Sequence, residues 1–108
     1  PVMVKNLHDA YAAGVKIAFG TDAGVSKHGR NSDEFELMVK HGMPAGAAIH
    51  AATVNAAALL GVHKDVGTIE QGKSADLIAG AGSPISDITV LKSVNFAMKD
   101  GRVFKDER

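Results

Sequence analysis

The residue of this chain that is best placed to do chemistry is Asp22, which follows the short apolar run at residues 15–19. Glycines bracket this carboxylate in the turn Gly-Thr-Asp-Ala-Gly at residues 20–24. Backbone that leaves a sheet can aim one side chain into a cleft, where a carboxylate is a candidate for proton transfer. An aspartate after a strand is also a common turn former or helix N-cap. Taken alone, these residues favour the structural role.

The other polar residues are weaker candidates. The chain has no cysteine, which excludes disulfides, thiolate metal sites and cysteine nucleophiles. Asn55 and Asp76 are expected to make structural contacts rather than to catalyse. Four of the five histidines lack a partner at metal-binding spacing, and we expect none of these four to be a ligand: His8, His41, His50 and His63.

Length and charge narrow the class of protein. At 108 residues the chain is at most one ordinary domain. Lys plus Arg and Asp plus Glu both number 12, so the formal net charge is zero, which argues against a nucleic acid or an anionic membrane as the partner. No window resembles a signal peptide or a membrane span, and we expect a cytoplasmic protein. Because the chain begins with Pro1 rather than methionine, we expect it to be either a piece of something longer or a processed or trimmed chain.

The first part of the chain is predicted to be an α/β arrangement that places Asp22 at the end of a strand. Three helices are predicted from apolar spacing, each closed by a glycine: residues 3–13, 32–41 and 44–60. The strand at 15–19 follows the first helix, and helix, glycine and strand make half of an α/β repeat. The alanine-rich third helix is expected to pack inside a larger body, with Leu59 and Leu60 on its apolar face.

After Gly61 the pattern changes to short extended pieces and turns, which predicts a small antiparallel β unit over residues 66–106. Its predicted elements are an extended piece, a strand, a helical turn and a hairpin, at residues 66–69, 75–79, 87–91 and 94–105. Asp-Gly at 100–101, between two extended apolar runs, is a strong hairpin signal. We therefore divide the chain into two units, residues 1–63 and 64–108.

The order of these motifs resembles the C-terminal end of the metal-dependent amidohydrolase superfamily, nearest its imidazolonepropionase-like and Xaa-Pro dipeptidase-like branch. The paired signature is Thr-Asp after a strand and, downstream, Gly-Thr-Ile-Glu-Gln-Gly-Lys-Ser-Ala-Asp-Leu at residues 67–77. Between the two lies Ala-Ala-Thr-Val-Asn-Ala-Ala at residues 51–57. The resemblance covers nearly the whole chain; it is specific to the superfamily and names no substrate.

The resemblance implies a (β/α)8 barrel with a small β-sandwich. Residues 1–63 would be the end of the barrel, with strand eight and its flanking helices, and residues 64–108 a portion of the sandwich. Asp22 matches the aspartate at the end of strand eight, which in the family ligates a catalytic metal, usually zinc, and handles the proton of the attacking water. Barrel sites do lie at the C-terminal ends of strands. His28, in the loop at the same mouth, is either a substrate contact or a solvated side chain.

The implied function is hydrolysis of a C–N bond in a peptide-like or cyclic amide, with a small molecule or dipeptide as substrate. Catalytic zinc takes about three protein ligands, and the family's other ligands come from earlier strands that this chain lacks. Zinc or another divalent metal is therefore expected in the full-length parent, whereas this chain alone is expected to be inactive and is a candidate for binding no metal.

Two alternatives compete with the enzyme. The first is a catalytically incomplete module that self-associates into a homo-oligomer, because a barrel tail without its neighbours exposes apolar surface and a sheet edge. The second is a small anion-binding protein that uses the turn at residues 20–24. It is the weaker of the two because no Gly-Lys-Ser/Thr pattern follows the strand.

Overall fold

The computed structural model describes residues 2–21 and 30–108. The described elements are helices α1 (Val2–Ala12), α2 (Asp33–Lys40), α3 (Ala45–His50) and α4 (Ala56–Leu59), a π-helical segment (Ala51–Asn55), a 3-10 helix (Ile88–Lys92) and strands β1 (Leu77–Gly80), β2 (Val94–Lys99) and β3 (Arg102–Asp106). The part of the chain with helices comes first and the three-stranded antiparallel sheet second, in strand order β1-β2-β3. In the described ranges, no helix has the length and hydropathy needed to cross a bilayer.

The three predicted helices are confirmed, and each ends in the same way. The residue after the C-cap is a glycine with positive φ, at Gly14, Gly42 and Gly61. After α2, the amide of Met43 donates to the carbonyl of Met38 at 3.1 Å and that of Gly42 to Val39 at 3.2 Å. This pair of bonds is the Schellman motif, which satisfies carbonyls that the end of a helix leaves without partners. The equivalent bonds follow α1 and α4.

The predicted strand at residues 15–19 is not formed in the structure. Residues 15–21, which we call the anchored segment, belong to neither a helix nor a strand. The described sheet contains only β1, β2 and β3, all from the second half of the chain. A β-ladder requires a neighbouring strand, and the described residues supply none beside this segment.

The predicted alanine-rich helix is present, but its middle part is π-helical rather than α-helical. α3, the π-helical segment and α4 follow one another without a break, and together they form what we call the composite helix, residues 45–59. Its buried residues are alanines: Ala48, Ala51 and Ala57. At its far end, Leu59 and Leu60 are 76% and 75% exposed, and their expected packing inside a larger body stays a prediction. Only the small residues of this helix are buried against the rest of the chain.

The main core lies between α1, the anchored segment, α2 and the composite helix. Its buried residues are Met38, Met43, Ala48 and Ala51, with partly buried Leu7, Tyr11, Ile17, Phe19, Phe35, Val39 and Ala47 packed against them. Alanines at the centre let the anchored segment and the helices approach closely. The core therefore places the anchored segment on the composite helix.

The β unit is confirmed in outline. The hairpin turn has φ of 51° at Asp100 and 78° at Gly101, as a two-residue type I′ turn requires. Lys99 faces Arg102 across it. The predicted helical turn is the 3-10 helix, whose Ile88 is buried. The prediction of an extended piece at residues 66–69 was wrong, because residues 66–68 form a bend and residue 69 belongs to no strand.

Candidate functional site

The two site residues predicted from the sequence, Asp22 and His28, lie outside the described residues. The structure describes the chain on both sides of them, as far as Thr21 and again from Arg30. The described groups that bear on the site are therefore those that hold the chain on these two sides.

The anchored segment is attached to the composite helix at two points. The amide of Phe19 donates to the carbonyl of Ala51 at 2.9 Å. The side-chain amide of Asn55 donates through Nδ2 to the carbonyl of Ile17 at 2.8 Å, in a partly buried position. These bonds confirm the structural contact that was expected of Asn55. Together they fix the main chain shortly before Asp22.

The carbonyl of Ala51 belongs to the π-helical segment, where the hydrogen-bond pattern of the helix is irregular. At the same segment, the hydroxyl of Thr53 donates to the carbonyl of Ile49 at 2.8 Å. Such side-chain bonds compete with the regular helix ladder. π-helical turns of this kind are frequent at functional sites.

An aromatic pair joins the anchored segment to α2. The rings of Phe19 and Phe35 stack with centroids 4.8 Å apart and planes 9° apart. Beyond the undescribed residues, the guanidinium of Arg30 contacts the Asp33 carboxylate through Nε at 2.9 Å and Nη2 at 2.8 Å. Both flanks of residues 22–29 therefore contact the same short helix.

Charges connect α2 to the β unit. The ammonium of Lys92, at the end of the 3-10 helix, pairs with Glu36 and lies 3.7 Å from the carboxylate of Asp33. The bond to Glu36 raises the pKa of Lys92 above its ordinary value, and the charge of Asp33 adds to this effect. These side chains are partly exposed, so the network orients the two elements more than it stabilises them.

The motif at residues 67–77 serves structure in the described part of the chain. Gly67 has φ of 101°, and a Cβ placed on it would lie 2.8 Å from the Cβ of Ala57 and 3.1 Å from the carbonyl oxygen of Thr53. Only glycine fits here without displacing a neighbour. This glycine therefore lets the start of the motif pack closely against the composite helix.

A lysine in the same motif holds the turn together. Lys73, whose side chain is 15% exposed, lies 3.1 Å from the carboxylate of Glu70. Its Nζ also donates to the carbonyl of His63 at 2.8 Å and to the hydroxyl of Thr68 at 2.7 Å. The hydrogen bond from the Thr68 hydroxyl lowers the pKa of Glu70 below its usual value, and Lys73 lowers it further by a smaller amount. This role of Lys73 was not predicted from the sequence, although its place in the motif at residues 67–77 was an available signal.

The aspartate near the end of the motif, Asp76, supports the hairpin. Asp76 Oδ1 accepts from the amide of Asp100 at 2.7 Å, and the ammonium of Lys99 lies 3.7 Å from Oδ2. The amide of Gly101 donates to the carbonyl of Ala75 at 3.0 Å. The structural contact expected of Asp76 is therefore confirmed.

The described residues do not make a metal site by themselves. Within residues 2–21 and 30–108, no three His, Cys, Asp or Glu side chains come together as ligands. A cleft of about 420 Å³ beside the anchored segment is lined by His50 and Asn55 among mostly apolar residues. This donor set does not suit a catalytic metal, which takes about three protein ligands.

Comparison with known proteins identifies the class to which this fold and these motifs belong. The model of the amidohydrolase family matches residues 2–104. The chain belongs to the amidohydrolase family, and the resemblance found in the sequence is confirmed. As a member, it is related to hydrolases that act on C–N bonds.

Three relatives are informative. A crystal structure of a Xaa-Pro dipeptidase with methionine bound in its active site is 53% identical, with a TM-score of 0.91 over 94% of this chain and 25% of that one. Ochratoxinase of Aspergillus niger is 36% identical over 107 residues, which cover 94% of this chain and 22% of the relative. Imidazolonepropionase of Thermoplasma acidophilum is 33% identical over 102 residues, or 84% of this chain and 24% of the relative. The chain thus spans about a quarter of the length of each.

Proposed function

We propose that this chain is the C-terminal part of a metal-dependent amidohydrolase that hydrolyses a C–N bond in a peptide-like or cyclic amide. Residues 1–63 would close a (β/α)8 barrel and residues 64–108 would contribute to a β-sandwich. The family match over residues 2–104 carries the proposal. The dipeptidase and imidazolonepropionase relatives favour a dipeptide or a cyclic amide as substrate.

In this proposal Asp22 is a metal ligand and the proton carrier. Zinc or another divalent metal, when bound, would lower the pKa of a water molecule to about 7 and polarise the scissile carbonyl. The carboxylate of Asp22 takes one proton from the attacking water. As the carbon–nitrogen bond breaks, Asp22 gives this proton to the leaving nitrogen. His28, in the same loop, is proposed to contact the substrate.

The anchored segment supports this role for Asp22. The bonds to Ile17 and Phe19 hold the main chain at residues 17 and 19, and Phe19 is three residues before the carboxylate. A group that acts on a proton must be held within hydrogen-bond reach of it. A main chain attached to a packed helix meets that requirement better than a free loop.

Replacement of Asp22 in the full-length natural protein tests the proposal. Asp22→Asn keeps the size of the side chain and removes its charge and basicity. We expect kcat for a proline-containing dipeptide to fall by about 100- to 10,000-fold, the range for loss of a general base, and bound zinc measured by elemental analysis to fall as well. The matched control is Asp65→Asn at an exposed position. Unchanged hydrolysis and metal content in Asp22→Asn would refute the proposal.

A self-associating module remains the second candidate, because large apolar side chains are exposed. Ile69 is 87% exposed, and Leu59 and Leu60 about three quarters exposed. In the described sheet, β1 and β3 each have a partner on one side only, and such edges favour pairing with another chain. Light scattering on the purified 108-residue chain distinguishes the candidates: a metal-free oligomer without amidase activity supports the module for the chain alone.

A further inference from the structure

We infer that Asn55 is a positioning residue for Asp22, acting through a two-point clamp on the anchored segment; this inference rests on the proposed function. The clamp consists of the bond from Asn55 Nδ2 to the carbonyl of Ile17 and the bond from the Phe19 amide to the carbonyl of Ala51. Asn55 is not a ligand and contacts no reacting atom in this inference. It acts on the main chain that leads to Asp22.

The spacing of the two bonds gives the clamp its specificity. The carbonyl of Ile17 and the amide of Phe19 are only two residues apart, and the composite helix bonds both of them. Two bonds this close together fix the position of the main chain along the helix as well as its distance from it.

The register of the clamp is set by the π-helical segment. Ala51 and Asn55 are its first and last residues. The Ala51 carbonyl and the Asn55 side-chain amide, which bond the anchored segment, therefore belong to the same irregular stretch. Ala51 is almost fully buried, and the stacked rings of Phe19 and Phe35 pack beside it. The contact is therefore closely packed, and a slip of the anchored segment by one residue would lose both bonds.

The chemistry of Asn55 explains why an amide is needed. Its partner is a carbonyl oxygen, which accepts only from a donor. Aspartate has nearly the same shape but would place a carboxylate against that oxygen. Alanine would leave the partly buried carbonyl of Ile17 without its partner, and such a loss is costly.

The test compares Asn55→Asp and Asn55→Ala with Asn6→Asp, the same chemical change at an exposed position of α1. The full-length natural protein is used, and Asp22→Asn is measured in parallel. In the metal-free protein, we expect hydrogen exchange of the Phe19 amide to be about 10-fold faster in both Asn55 variants than in Asn6→Asp. In the metal-loaded protein, we expect kcat to fall by about 10- to 100-fold with KM changed less than about twofold, because a small misplacement affects chemistry more than binding.

A variant destabilised elsewhere separates positioning from general loss of stability. Gly72 has φ of 92°, and a Cβ placed on it would have no neighbour within 4 Å, so Gly72→Ala strains only the turn in the β unit. Its Tm should fall, while kcat and Phe19 exchange stay unchanged. If Gly72→Ala, at an equal loss of Tm, reproduces the loss of kcat, the positioning role is overturned.

The remaining outcomes separate this inference from the proposed function. Wild-type kcat and Phe19 exchange in the Asn55 variants, with kcat abolished in Asp22→Asn, overturn the clamp and leave the function standing. Unchanged kcat in Asp22→Asn overturns the proposed function, and with it the role of Asn55 in positioning a catalytic group. The exchange rate of the Phe19 amide then still decides whether the clamp exists.

Discussion

The hairpin at residues 94–106 and the anchored segment at residues 15–21 obtain their hydrogen bonds in opposite ways. In the hairpin, Lys99 pairs with Arg102 across a two-residue turn. In the anchored segment, the carbonyl of Ile17 is bonded by a side chain 38 residues further along the chain. Local sequence is sufficient for the first contact, while the second exists only once the composite helix is in place.

This difference extends to the two halves of the molecule, whose structures are determined by different kinds of contact. The β unit rests on the local chemistry of its turn, supported by the bond from the Asp100 amide to Asp76, which lies 24 residues earlier. The half that carries the candidate site rests on packing between distant segments, with small alanines at the centre. The two halves meet at Gly67 and at Lys92, and substitutions there and in the hairpin test the comparison.

The largest effect on stability is expected for Gly67→Ala. The new Cβ would combine an unfavourable positive φ with a 2.8 Å contact to Ala57, so we expect a loss of about 3 kcal/mol in the free energy of unfolding. Gly72→Ala has a similar φ and no such contact, and should cost about 1 to 2 kcal/mol. Urea unfolding of both variants measures the difference. Equal losses would show that the close contact between Gly67 and the composite helix contributes nothing to the free energy of unfolding.

A smaller effect is expected from Asp76→Ala, which removes the acceptor of the Asp100 amide. We expect a loss of about 1 to 1.5 kcal/mol, because a hydrogen bond to a charged group is replaced by water at a partly exposed position. Thermal unfolding measures it, with Asp65→Ala as the exposed control. Since the turn itself is local, the amides of β2 and β3 should remain hydrogen-bonded in this variant. If NMR shows that these hydrogen bonds are lost, the hairpin also depends on the distant contact with Asp76.

The smallest effect is expected for the ion pair between Lys92 and Glu36. The pKa of Lys92 is raised in the folded protein, chiefly by its bond to Glu36. The pair therefore stabilises the fold fully below the ordinary lysine pKa, and this stabilisation is lost as the pH rises through the raised value. In Glu36→Gln, an NMR titration of the Lys92 Nζ should show its pKa moving down toward 10.5. A Lys92 pKa that does not change would contradict the contact.

Much of the secondary structure was predictable because its determinants are local. The helices at residues 3–13, 32–41 and 44–60 were placed by apolar spacing and by the glycines that follow them, and all three are present to within a residue or two. The hairpin followed from Asp-Gly. The family followed from the order of the motifs and is confirmed by the match over residues 2–104.

Other features depended on contacts that no local pattern records. The strand expected at residues 15–19 has no partner strand among the described residues, so a strand-like composition did not produce a ladder. The composition of the π-helical segment does not record its irregular bonding, because Thr53, Val54 and Asn55 lower helix propensity without specifying a π turn. Its contact with Phe19 comes from a distant part of the chain. Leu59 and Leu60 fit an apolar face by spacing, yet nothing in the described part of the chain covers them.

The sequence by itself determined where the helices end, the turn of the hairpin and the family, because each depends on residues that are neighbours along the chain or on an ordered series of motifs. Only the tertiary structure decided that Asn55 and Ala51 hold the anchored segment, that Gly67 must be small, and that Lys92 pairs with α2. These contacts join residues that are distant along the chain, and burial in a shared core brings them together. The sequence predicts a catalytic role for the carboxylate of Asp22, and the fold shows which groups hold the chain that leads to it.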